Sequence, residues 1–218
     1  MTDLTPSCRL VILISGRGSN MQAIARMIEE QALPAQVCAV ISNQPDAEGV
    51  HWAQQQGITT ACVSHRDYAT RAQFDQALLQ QIDNYQPDYV LLAGFMRVLS
   101  PFFVEHFRGR LINIHPSLLP SFPGLHTHEQ ALQAGVQCHG STVHFVTPVL
   151  DSGPIIAQSV IPVLASDTAQ SLAQRVLATE HTVYAQAVRW LIEGKVRLDV
   201  NDRVQAHGLE QRSFYFHA

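Results

Sequence analysis

Four short runs rich in valine, isoleucine and leucine, at residues 9–15, 37–42, 58–63 and 89–93, alternate with amphipathic segments at 21–30, 47–56 and 71–85. This rhythm restricts the fold more than any other feature. Strands separated by helices return in the same direction only through crossover connections, so the pattern predicts a βαβαβαβ unit. The predicted class is α/β, a mostly parallel central sheet with helices on both faces. Hydrophobic residues make up 46% of the 218 and charged ones 15%, a balance suited to strands buried on both sides. Further strands are expected at 111–115, 142–146 and 155–162. A short helix near 101–107 is started by Ser100 with Pro101 in the first position, and another lies near 128–133. The longest helix is expected at 168–193, with Ser166 or Asp167 as its cap. Leu172, Val176, Val183, Ala187 and Leu191 lie along its apolar side. Residues 196–200 read as a short strand before a polar tail. The chain is expected to form one domain, 1–218.

Charge and composition exclude several partners. A net charge of -4 offers no general attraction for polyanions, which argues against RNA or DNA. The apolar run at 10–14 is too short for a signal-peptide core or a membrane span, so a cytoplasmic protein without membrane contact is expected. Cys8, Cys38, Cys62 and Cys138 form no CxxC pair and read as reduced thiols.

The segment Leu111-Ile112-Asn113-Ile114-His115-Pro116 carries the densest chemistry. Alternation puts Asn113 and His115 on one face of a strand's carboxyl end, where open α/β sheets hold their ligands. An amide NH2 beside an imidazole N–H suits the oxyanion of an acyl transfer; a strand end bonded to nearby backbone reads equally well. Downstream, Asp151 stands in a proline-bounded loop. It would favour a charged His115 if it reached that ring, or it would close its own Asx turn. The glycine-rich turn Ser15-Gly16-Arg17-Gly18-Ser19-Asn20 suits a phosphate at a helix start, or a tight turn without ligand. A dinucleotide site lacks its third glycine, where Met21 stands, and a Walker loop lacks its Gly-Lys-Ser/Thr. His126, His128, His139 and His144 lack the spacing of a metal site, so no metal is expected. The apolar stretch 91–99 fills a core or walls a pocket for a flat ring.

With these motifs in place the chain resembles the phosphoribosylglycinamide formyltransferase family, the glycinamide ribonucleotide transformylases among folate-dependent formyltransferases. The resemblance is nearly full length. It rests on Val11 to Gly16, Leu92-Ala93-Gly94-Phe95-Met96-Arg97, Asn113 to Pro120, Pro123-Gly124-Leu125-His126-Thr127-His128, Leu150-Asp151-Ser152-Gly153-Pro154 and Thr179-Glu180-His181. It implies a Rossmann-like formyltransferase fold and formyl transfer from 10-formyltetrahydrofolate to the amine of N1-(5-phosphoribosyl)glycinamide in purine biosynthesis. Residues 1–100 would form a phosphate-binding half, 101–200 a catalytic and folate-binding half and 201–218 a tail. It further implies Asn113, His115 and Asp151 as catalytic residues, with Gly18, Ser19, Asn20 and Glu180 on the ribonucleotide. Arg71, Met96, Arg97, Val98, Leu99, Asn113, Thr147, Leu150 and Asp151 would hold the folate. Arg17 and Pro148-Val149 depart from the family pattern. The expected partners are these two small molecules, to a monomer or homodimer. The alternatives are a formyltetrahydrofolate hydrolase, which resembles this core with an added amino-terminal domain, and a non-catalytic nucleotide-binding module. A methionyl-tRNA formyltransferase would need a carboxyl-terminal RNA-binding domain.

Overall fold

The computed structural model describes residues 8–217. The chain divides into two compact units, one ending at Ile112 and the other starting at Asn113. The first contains β1 (Cys8–Ile14), α1 (Ser19–Glu30), β2 (Ala35–Ser42), α2 (Glu48–Gln55) and β3 (Thr60–Cys62). A 3-10 turn, α3 (Arg71–Asp83), β4 (Tyr89–Leu92) and α4 (Pro101–His106) complete it. Its strands lie in the order β4-β1-β2-β3, with β1 parallel to β4 and β2 and β2 parallel to β3, as the alternating pattern predicts. Leu10, Val11, Ile12, Leu13 and Ile14 are all at 0% exposure. Such a strand is covered on both faces, which is why it reads as an unbroken apolar run rather than an alternating one.

Local chemistry sets the helix starts. Thr70 caps α3 by accepting from the Gln73 N–H while the Gln73 side chain accepts from the Thr70 N–H, a reciprocal capping box. Pro101 occupies the first turn of α4 behind Ser100, as expected from the sequence.

The division falls inside β5 (Leu111–His115). The second unit continues with α5 (Thr127–Ala134), β6 (Cys138–Phe145), β7 (Ile155–Pro162) and α6 (Ala169–Ile192). It ends with β8 (Val196–Leu198), β9 (Val204–Ala206) and β10 (Ser213–Tyr215). Its sheet runs β10-β7-β6-β5, with β6 and β7 antiparallel and β10 parallel to β7. Strands β8 and β9 form a separate hairpin. Leu172 and Val176 of α6 pack with Ala131 and Ile161, and Phe122, Leu132 and Phe216 close around them.

Three details differ from the sequence expectation. The cap of α6 is Thr168, in a capping box with Ser171, rather than Ser166 or Asp167; Asp167 instead accepts from Ser171 and Arg175. Strand β6 starts at Cys138, not 142, although Cys138, His139, Gly140 and Ser141 carry no strand-forming run. They are held by their β7 partners, and the buried hydroxyls of Ser141, Ser159 and Thr179 satisfy one another at 2.7 and 2.8 Å. The tail expected only as polar contains β9 and β10; Phe214 there stacks on Trp190. No described helix is long and apolar enough to cross a membrane.

Gly140 lies where β6 and β7 meet so closely that an added Cβ would stand 1.8 Å from the Ser159 carbonyl oxygen. Backbone must move to admit it. Gly140→Ala should therefore lower unfolding stability by about 1–3 kcal/mol or more, read as a lower urea midpoint. An unchanged midpoint would show that the two strands separate freely.

Candidate active site

In the first unit the glycine turn leads directly into α1. The helix starts at Ser19, two residues before the expected position, so the Ser19 and Asn20 N–H groups belong to its first turn. Gly18 is the N-cap with φ 67, a left-handed conformation, and a Cβ there would lie 2.9 Å from Met21 Cε. It carries no side chain to cap the turn, and no acidic residue stands in the first turn to oppose an anion. Arg17 is exposed beside them.

The same unit holds the loop 94–99 at both ends. The Ser15 N–H donates to the Gly94 carbonyl at 3.1 Å, and the Ser15 hydroxyl accepts from the Met96 N–H at 2.8 Å. That hydroxyl donates in turn to Asn43 Oδ1 at 2.6 Å. At the far end Arg71 Nη2 donates to the Leu99 carbonyl at 2.5 Å. Between these anchors Met96 and Val98 are 74% and 58% exposed. Apolar side chains offered to solvent on a fixed backbone suit a flat apolar ligand better than core filling.

In the second unit two of the three residues expected to carry chemistry, His115 and Asp151, meet, and Asn113 stands two residues before His115 in β5. His115 Nδ1 lies 3.5 Å from Asp151 Oδ2, and both side chains are nearly buried. Its other nitrogen, Nε2, donates to the Phe122 carbonyl at 3.0 Å. Acceptors therefore face both ring nitrogens, and only a doubly protonated ring donates to both. Asp151 Oδ2 also accepts from the Gly124 N–H at 2.8 Å, so the carboxylate ties its own loop to the one after β5 instead of closing an Asx turn. Asp151, Phe122 and His126 all hold positive φ, at 47, 56 and 58 degrees. Non-glycine residues there carry backbone strain, which clusters at functional sites.

Asn113 is positioned by a residue that sequence reasoning assigned no role in the site. Its Nδ2 lies 3.3 Å from His144 Nε2, while His144 Nδ1 lies 3.0 Å from the Phe145 carbonyl. A carbonyl only accepts, so His144 carries its proton on Nδ1 and turns the Nε2 lone pair to the Asn113 amide. Burial depresses the His144 pKa, which keeps that ring neutral and that lone pair available. The register of β6 shifts between Val143 and His144, an irregularity of the kind that re-aims a side chain near a site. Its sequence signal was only its place in the strand; the Phe122 carbonyl and the Gly124 N–H gave none.

The remaining positions are less convergent. Glu180 lies buried on α6, Leu150 is exposed, and Thr147 donates to the Val149 carbonyl at 3.2 Å. His126 pairs with Glu129 at 2.8 Å in the open, and His128 Nδ1 meets His139 Nε2 at 3.2 Å. Among the described residues no group of three His, Cys, Asp or Glu is placed to hold a metal ion.

Comparison with known proteins bears on this geometry. The formyl transferase family matches residues 8–188. The chain is 47% identical over 192 residues to phosphoribosylglycinamide formyltransferase of Escherichia coli (strain K12), covering 88% of this chain and 91% of that protein. It is 44% identical over 196 residues to the trifunctional purine biosynthetic protein adenosine-3 of Bos taurus, which is 90% of this chain and 19% of that one. The solved phosphoribosylglycinamide formyltransferase of Coxiella burnetii, in complex with CHES, matches with a TM-score of 0.88 and 43% identity. That match covers 96% of this chain and 99% of the other.

The two histidines buried in β6, His139 and His144, resist protonation. Burial, followed by the neighbouring His128 and His115, brings the His139 pKa down from 6.5 to about 4. Above pH 6.5 neither folded nor unfolded chain is charged at this ring. Between 6.5 and 4 only the unfolded chain takes the proton, so stability falls as pH falls through that window. An NMR titration of the His139 ring should give a midpoint near 4; a midpoint at or above 6 would refute the assignment.

Proposed function

The chain belongs to the formyl transferase family, and on that premise we propose the path its formyl group takes. The protein is a formyltransferase of purine biosynthesis with a formyl-tetrahydrofolate as one-carbon donor. The donor proposed here is 10-formyltetrahydrofolate and the acceptor is the glycinamide amine of N1-(5-phosphoribosyl)glycinamide. The amine nitrogen attacks the formyl carbon directly, and the carbonyl π pair moves onto oxygen. The amine proton passes to N10 of the folate, the carbonyl re-forms as the carbon–N10 bond breaks, and the N-formylated glycinamide ribonucleotide and tetrahydrofolate leave. No enzyme-bound acyl group forms.

Asn113 and His115 are the proposed donors to the oxyanion. The observation that carries this reading is the pairing of His115 with Asp151 at 3.5 Å, in a strand where Asn113 stands two residues earlier on the same face. Donors held by a carboxylate in a site shielded from water stabilise a developing oxyanion strongly. The Phe122 carbonyl here accepts the hydrogen bond from His115 Nε2. On this reading the formyl oxygen displaces it, so the strained Phe122 backbone holds the place of the oxyanion. Asp151 also steers the proton from amine to N10 through water. His144 keeps the Asn113 amide turned toward the reacting carbon.

The ligand contacts are proposed unit by unit. Gly18, Ser19 and Asn20 take the phosphate at the start of α1, and Glu180 takes a ribose hydroxyl. Arg71, Met96, Arg97, Val98 and Leu99 receive the folate on the first unit, as Asn113, Thr147, Leu150 and Asp151 do on the second. The exposure of Met96, Val98 and Leu150 supports an apolar ligand at these positions. The molecule is proposed to act in the cytoplasm, as a monomer or homodimer.

The test is direct. Purified protein with 10-formyltetrahydrofolate should release tetrahydrofolate only when the ribonucleotide acceptor is present; release without acceptor would mark a hydrolase. His115→Asn should cut kcat about 10²–10³-fold, and Asp151→Asn about 10²–10⁴-fold, with unfolding midpoints near the parent's. Parent-level turnover by Asp151→Asn across pH 6–8 would remove that residue from the mechanism.

A further inference from the structure

One turn of α3 grips the end of the exposed loop at three points. Arg71, Phe74 and Asp75 stand at i, i+3 and i+4 and so share a helix face. Arg71 Nη2 donates to the Leu99 carbonyl at 2.5 Å, and Asp75 Oδ2 accepts from the Ser100 N–H at 2.7 Å. Those two groups belong to a single peptide unit, the one joining Leu99 to Ser100. Arg71 Nε and Asp75 Oδ2 lie 4.0 Å apart, so an ion pair holds both sides of that peptide. The Arg97 guanidinium sits 5.5 Å from the centre of the Phe74 ring, adding a cation–π contact two residues earlier.

The chemistry of Asp75 is hard to explain as stabilisation. Its side chain is 1% exposed, its Oδ1 is buried without a hydrogen-bond partner among the described residues, and the cation paired with it, Arg71, is at 4.0 Å. A buried carboxylate with half its acceptor capacity unfilled opposes folding, and a neutral residue of similar shape often serves stability as well or better. What a carboxylate supplies here is direction. A charge-assisted bond fixes the Ser100 N–H, and the same charge turns Arg71 so that its fork meets the Leu99 carbonyl.

We propose that Asp75 is a positioning residue for the folate, acting through the Leu99 to Ser100 peptide to set the backbone of 96–99 before the ligand arrives. The proposal rests on the reading of that loop as a folate contact. Asp75 touches neither substrate nor reacting atoms; its effect is on affinity for one of the two substrates. Holding a loop in its bound form before binding removes an ordering penalty that the ligand otherwise bears.

Asp75→Ala and Asp75→Asn separate this role from a merely structural one. Asp75→Ala should raise KM for 10-formyltetrahydrofolate about tenfold or more, with kcat at saturating folate and KM for the ribonucleotide within about twofold of the parent. Asp75→Asn still offers an oxygen to the Ser100 N–H but loses the charge facing Arg71, so it should fall between. Its thermal midpoint should match or exceed the parent's, because the unfilled buried charge is gone. Amide hydrogen exchange across 96–100 should quicken in Asp75→Ala, while β1 and β4 keep parent protection. Equal rises in both KM values, or unchanged exchange at 96–100, would overturn the proposal. A separate arm tests the reading beneath it: 10-formyltetrahydrofolate should slow exchange of 96–100 in the parent. No protection there would overturn the folate assignment of the loop, and the proposal with it, whatever the variants did.

Discussion

Burial of parallel strands on both faces is the constraint from which the rest of the structure follows. Leu10, Val11, Ile12, Leu13, Ile14, Val90 and Leu91 have no exposed surface, and a strand enclosed this way cannot carry solvated chemistry along its length. Polar groups are pushed to the ends, where the chain leaves the sheet. Ser15 follows β1, Asn43 follows β2, and Asn113 and His115 close β5. Each is polar at the point where the apolar run stops. The glycine turn and the loop 94–99 are likewise carboxyl-terminal exits, the position where open α/β sheets hold ligands.

The same burial sorts the histidines into two kinds. His139 and His144 sit in β6, packed in the second unit, and burial drives both toward the neutral form. A neutral ring with one nitrogen on a carbonyl has one lone pair left to give, and His144 gives it to Asn113. His115, at the strand end, faces a carboxylate and a carbonyl instead and can donate from both nitrogens. Two identical side chains thus take opposite hydrogen-bonding roles within one unit, and the roles are set by the groups at their ring nitrogens.

These arrangements oppose stability in small amounts. Two non-glycine residues in contact with His115, Phe122 and Asp151, hold positive φ, and a carboxylate lies buried beneath the loop 94–99 with one oxygen unsatisfied. Strained backbone costs roughly 1–3 kcal/mol per residue and survives only when its surroundings over-determine it. Here the surroundings are visible. Thr142 accepts from the Leu119 N–H and donates to the Ser117 carbonyl, while Thr127 donates to the Pro116 carbonyl, pinning the loop after β5 along its length.

Elements whose own residues dictate their form were legible without coordinates: the βα rhythm, the Pro101 helix start and the end of β5 with Asn113 and His115 on one face. Periodicity and capping act over a few residues, so a linear reading captures them. The beginning of β6, the strands β9 and β10, and the Thr168 cap escaped, because partners distant in sequence or one hydroxyl's geometry decided them. The candidate site divides the same way. Asn113, His115 and Asp151 were recognisable as residue types at suggestive places, but the choice between an Asx turn and a reach of Asp151 to His115 belonged to tertiary structure. So did the lone pair of His144 and the grip of Asp75 on one peptide. Hydrogen bonds and ion pairs act over about 3–4 Å, and residues tens of positions apart reach that distance only once the chain has packed.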